Sequence, residues 1–114
     1  MQTQVEKLRL RMTDEFRLPY KEKHIRDLKN EDIKVAILGT ITKKENGRLS
    51  LDDGDKSIMI NMETDLQVGS FVKVFGNLLA YDEDFEIQGH FLKNLDNTDK
   101  LLYKKAMNMI INSK

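Results

Sequence analysis

The chain contains no cysteine and no tryptophan, and its single proline stands at position 19. Without thiols there is no disulfide framework, no thiolate metal site and no cysteine nucleophile, and nothing calls for an oxidising compartment. Long apolar runs are missing too. None approaches the roughly 18 residues of a membrane span, and the opening MQTQVEKLRLRM lacks the apolar middle of a secretory signal. A soluble intracellular protein is therefore expected, with no membrane partner. Phosphate-binding glycine loops, a nucleophile elbow and paired catalytic acids are also absent, so the expectation is a non-enzyme with no cofactor and no catalytic residues.

Net charge is zero over 114 residues, enough chain for one domain with a real core. The charge is unevenly spread. Residues 1–26 carry a net +3, residues 27–90 a net −6, and residues 91–114 a net +3. A binder of phosphate backbones needs an excess of Lys and Arg where it touches them, and the middle of this chain has the opposite.

The residue pattern divides into an N-terminal arm (1–18), a barrel with its lead-in (19–95) and a C-terminal helix (96–112). Pro19 and the charged run KEKHIRDLKNED interrupt any long element early on. From Ile33 the period becomes two, with Ile33, Val35, Ile37, Gly39 and Ile41 on one face of a long strand whose glycine predicts a bulge or bend. Asn46-Gly47 is a tight hairpin signal, since both positions favour positive φ. RLSLDD and KSIMINM then supply strands with Leu49, Leu51, Ile58, Ile60 and Met62 inward, joined through Asp53-Gly54. In FVKVFGNLLAY, Val72, Val74 and Gly76 share one face and Phe71, Lys73 and Phe75 the other; FEIQGHFL alternates Phe85, Ile87, Gly89 and Phe91. Five short strands, tight turns and no crossover helix predict an all-β chain. The expected fold is a five-stranded OB-fold barrel with a C-terminal α-helix, an SH3-like barrel being the alternative.

That helix carries more apolar surface than a small barrel can cover. With residues about 100° apart, Leu102, Tyr103, Ala106, Met107, Met109, Ile110 and Ile111 fill a continuous arc of roughly 200°, where a stripe of about 100° or somewhat more suffices to cover one neighbour. Asp96, Asn97 or Thr98 is the expected N-cap. These seven side chains are the candidate partner interface, one flank meeting the barrel and the other a second protein.

Three stretches resemble the OB domains of single-stranded-DNA-binding subunits: Val35, Ile37 and Gly39; the hairpin LDDGDKSIMI from Leu51 to Ile60; and VGSFVKVFG from Val68 to Gly76. The tail, with Asp99, Leu102, Tyr103, Ala106 and Ile110 in a D-x-x-L-Y-x-x-A-x-x-x-I pattern, is similar to the closing helix of the smallest subunit of replication protein A. The resemblance spans residues 33–111. It implies a nuclear subunit, in DNA replication and repair or in a telomere- or telomerase-dedicated paralogue, whose helix joins larger OB-fold subunits. Single-stranded DNA would be bound mainly through the complex.

Direct nucleic-acid candidates are fewer. Lys43, Lys44, Arg48 and Lys56 are placed to follow a phosphate backbone, but Asp52, Asp53 and Asp55 sit beside them and suit a turn better than a metal. Phe71, Lys73 and Phe75 form the one aromatic–basic–aromatic arrangement, either a stacking platform or a surface packed beneath the arm or the helix. His24 and His90 are isolated, and no metal is expected.

Overall fold

The computed structural model describes residues 19–112, the N-terminal arm of residues 1–18 lying outside them. The chain runs through β1 (Lys21–Glu22), a 3-10 turn (Ile25–Asp27), β2 (Lys34–Glu45), β3 (Arg48–Asp52), β4 (Ser57–Asn61), β5 (Phe71–Tyr81), β6 (Asp84–Asn94) and a helix, α1 (Lys100–Asn112). Strands β2 to β6 close on themselves in the order β2-β3-β4-β6-β5, with β5 returning to pair with β2. All barrel pairings are antiparallel except β4–β6. This is an OB-fold barrel with one C-terminal helix.

Closure depends on β2 serving two neighbours. Its first half pairs with β5, from Lys34↔Asn77 to Thr40↔Phe71, and from Thr40 onward it pairs with β3. At the changeover a Cβ on Gly39 would lie 2.7 Å from the Asp52 carbonyl oxygen and 2.9 Å from Leu51 Cγ, so only glycine allows the two strands to approach this closely. The irregularity expected at Gly39 falls instead between Ile41 and Lys43, where the register slips by one. Asn46 and Gly47 both take positive φ, 53° and 74°, in the two-residue turn that follows.

The core is aliphatic: Val35, Ile37, Ile41, Leu49, Leu51, Ile58, Ile60, Val72, Val74 and Ile87 are all buried inside the barrel. Two further members come from the lead-in. Ile25 and Leu28 pack against this cluster, with Ile25 N–H donating to Asp53 Oδ2 at 3.1 Å. Ile33, expected inside, precedes the strand and is 72% exposed. Phe91 also departs from the expected alternation. It pairs with Phe75 while Gly89 pairs with Gly76, so His90 is the extra residue of a bulge that turns Phe91 outward and brings Leu92 against the core.

β5 is buried on both faces from Phe71 through Gly76. Its inner side faces the barrel; its outer side is covered by α1, β1 and Tyr20. The connector into the helix is clasped to its start, since Leu95 N–H donates to the Phe71 carbonyl and Asp96 Oδ1 accepts from Phe71 N–H, both at 2.7 Å. Asp96 is therefore not the cap. Asp99 is, accepting from Leu102 N–H at 3.1 Å through its side chain.

Candidate assembly and nucleic-acid surfaces

The helix is fixed on the barrel by an unusual buried charge. Lys73 projects from the outer side of β5 and is fully buried. Its Nζ lies 2.7 Å from Glu22 Oε1 of β1, donates to Met107 Sδ of α1 at 3.5 Å, and sits 5.8 and 5.5 Å from the ring centroids of Phe75 and Tyr103. One ammonium thus ties together lead-in, barrel and helix. Isolated in the interior such a charge is very costly; a paired carboxylate and two ring faces offset that cost. Nearby, Lys100 and Lys104 of the first helical turns lie over the Phe71 ring at 5.3 and 5.7 Å.

These contacts settle which flank of α1 faces inward. Met107 is 3% exposed, Tyr103 and Ile111 are half-buried, and a narrow crevice between helix and barrel is lined by Leu38, Met107 and Ile111. On the other side Leu102 is 59% exposed and Met109 73%, with Ala106 half-buried at their margin. Around the axis Met109 stands about 160° from Met107. Leu101, 67% exposed, was missed by the sequence pattern because Lys105 separates it from the apolar arc. The seven candidates therefore split: Tyr103, Met107 and Ile111 belong to the barrel side, Leu102, Ala106 and Met109 to the outer side. Ile110 lies in the helix, but its side chain falls outside the described residues.

The basic candidates are largely engaged. Lys43 pairs with Glu45 at 3.1 Å, and Lys44 Nζ donates to the Leu66 carbonyl at 2.8 Å. Arg48 donates to Asn61 Oδ1 at 2.9 Å and pairs with Glu86 at 2.8 Å, an arrangement closed by Asn61 Nδ2 donating to Glu86. A surface cleft of about 440 Å³ opens beside the Asn46–Gly47 turn, lined among others by Lys44, Arg48, Glu45, Glu63 and Asp65. Carboxylates outnumber cations there, which disfavours a polyanion. Lys56 is exposed at the end of the Asp53 loop. Phe71, Lys73 and Phe75 are buried beneath α1, β1 and Tyr20, so they present no stacking platform: the second layer on the sheet's outer face takes up the rings.

The acidic cluster is a turn. Asp53 Oδ1 accepts from the N–H groups of Asp55 and Lys56, both at 2.9 Å, while its Oδ2 takes Ile25 N–H. Burial pushes the Asp53 pKa up, but these three backbone donors and His24 outweigh it and hold the carboxyl below its ordinary value. Asp32 behaves likewise, with burial overcome by Lys29 N–H at 2.9 Å and by Lys23 at 3.2 Å. His90 Nδ1 lies 2.8 Å from the Tyr20 hydroxyl, in a cluster with Phe75 and Phe91.

No family model and no curated protein matches this chain. Solved structures do. The telomere capping protein Ten1 from Saccharomyces pombe superposes with a TM-score of 0.65 at 18% identity, over 79% of this chain and 95% of that one. A chain of the S. pombe Stn1–Ten1 complex gives 0.68 at 17% identity, over 83% and 94%. The hypothetical protein ygiW from E. coli gives 0.54 at 13%, over 65% and 89%. What is shared at such identities is the fold.

Proposed function

We propose that this chain is a non-catalytic OB-fold subunit of a heteromeric, replication protein A-like complex that binds single-stranded DNA, acting in the nucleus in telomere maintenance. Residues 96–112 form its assembly module and residues 19–95 its barrel. The observation that carries this reading is the outer flank of α1, where Leu101, Leu102 and Met109 stay in solvent while the opposite flank is buried on the barrel. Exposed apolar side chains grouped on one helix face mark a protein-binding surface, and a larger OB-fold subunit with a helix of its own is the matching occupant. The likeness to Ten1 and to a chain of the Stn1–Ten1 complex supports a telomeric role over general replication and repair, and a larger OB-fold partner of the Stn1 kind. Because the Lys43, Lys44 and Arg48 surface is interleaved with Glu45, Glu63 and Glu86, the partner supplies most of the DNA affinity.

The test is co-purification of the tagged full chain, followed by mass spectrometry. A larger OB-fold protein is expected in near-stoichiometric amount, and Leu102→Asp with Met109→Asp is expected to abolish its recovery while the thermal melt of the barrel is unchanged. Full recovery with the double variant, or a stable self-dimer by light scattering that those changes dissolve, would refute the reading.

A further inference from the structure

The aromatic cluster at the bulge of β6 is distinct from the helix face and from the β3–β4 surface. Phe91 stacks on Phe75 with ring centroids 4.6 Å apart and planes 16° from parallel. Tyr20 stands edge-on to both, at 5.7 and 5.4 Å. Its hydroxyl is held by exposed His90, and Lys34 Nζ lies 5.7 Å from its centroid. Phe75 is buried beneath, so the rings are braced from below, yet Phe91 keeps 43% of its surface in solvent. The inner face of the barrel has no use for that ring; only the bulge at His90 places it outside.

The chemistry around the cluster selects the ligand. Lys34, exposed, stands at its edge, and Lys93 follows Phe91 on the same outer side of β6, while Lys21 is paired with Asp32 at 4.0 Å. Glu22, which shares a rung with Phe75 and Phe91 through Ala36 of β2, is tied into an ion pair with Lys73. A half-exposed, rigid aromatic pair beside lysines suits a ligand with flat π-faces and a negative backbone. An acidic or purely aliphatic protein surface would use only one of those features.

We propose that Phe91, with Tyr20 and His90 beside it and Lys34 at its edge, is a base-stacking site for single-stranded nucleic acid on the outer face of β5 and β6. It goes beyond the assembly role and does not depend on it, since the site is complete in this chain. Any base can stack there, so the site is indifferent to sequence, and the lysines make it sensitive to salt.

The test titrates the full-length protein at low salt with a labelled oligothymidylate, an oligouridylate of the same length, and an abasic strand of the same length. Phe91→Leu keeps apolar cover over Phe75 but removes the π-face; it is expected to weaken binding of the base-bearing strands about 5- to 150-fold, the equivalent of one stacked base. It should leave the thermal melt and recovery of the protein partner unaltered. Lys34→Gln should lower affinity and flatten the salt dependence. Equal binding of abasic and base-bearing strands, or unchanged affinity in Phe91→Leu, would overturn the proposal. So would loss of partner recovery in that variant, which would assign the ring to the protein interface. Preference for the thymidylate or the uridylate strand identifies the nucleic acid without altering the stacking claim. Failure of the helix variants to release the partner bears on assembly alone.

Discussion

Replacing Glu22 by Ala removes one half of a pair that is buried on both sides. The Lys73 amine is then left inside a pocket formed by Phe75, Tyr103 and Met107, with the Glu22 carboxylate gone. Breaking a buried ion pair from one side costs about 3–5 kcal/mol. In a domain of this size each kcal/mol moves the melting temperature by about 4–8 °C, so Glu22→Ala should lower it by at least about 12 °C. The doubly apolar variant, Glu22→Leu with Lys73→Met, removes both charges and fills similar volume; it should melt within a few degrees of the parent or above it. Circular dichroism gives the melts, and hydrogen exchange of the α1 amides tells whether the helix loosens before the barrel. Because Lys73 touches lead-in, barrel and helix together, the single variant should lose protection in α1 and in residues 20–25 at once. A loss below about 1 kcal/mol in Glu22→Ala, typical of a solvated surface pair, would refute the reasoning. So would a double variant as unstable as the single one.

Two further outcomes follow from local geometry. The Asp53 carboxyl titrates lower in the folded than in the unfolded chain, so its contribution is present above the ordinary Asp range and fades as pH falls through the folded value. Asp53→Asn should cost about 1–2 kcal/mol at pH 7 by urea unfolding and much less near pH 3; a difference independent of pH would exclude this role. Gly39→Ala pushes a methyl group into the Asp52 carbonyl and Leu51, and should destabilise the barrel by about 1–3 kcal/mol in the same assay, an unchanged midpoint showing that β2 and β3 can part freely.

The barrel was legible in the sequence where one face of a strand is wet. β3 and β4 alternate apolar and polar residues, and their inward side chains are those the period of two selects. Asn46-Gly47 announced its turn for a stereochemical reason that no tertiary context alters. Legibility failed where a second layer or an irregularity intervenes. A lysine at an alternate position of β5 reads as solvent-facing, and only the arrival of Glu22 and α1 from distant parts of the chain buries it. Ile25 and Leu28 sit singly among charged residues, so no periodicity marks them as core. The bulge at His90 reverses the side on which Phe91 stands, and nothing in FEIQGHFL distinguishes that register from an uninterrupted strand. At the helix, the apolar arc was visible in the spacing, but which flank meets the barrel depended on the position of Lys73, a residue about thirty positions away.

β5 also constrains how this chain can vary. Over Phe71–Gly76 every side chain faces either the barrel interior or the underside of α1 and the lead-in. An ordinary half-exposed strand tolerates drift at alternate positions, but this one offers none. Inserting or deleting a single residue there exchanges the two faces together, sending Lys73 into an aliphatic interior and leaving a valine opposite Glu22. Length changes should therefore accumulate in the hairpin tips and in the 62–70 connector, while relatives keep the spacing from Phe71 to Gly76 even after most of its residues have been replaced.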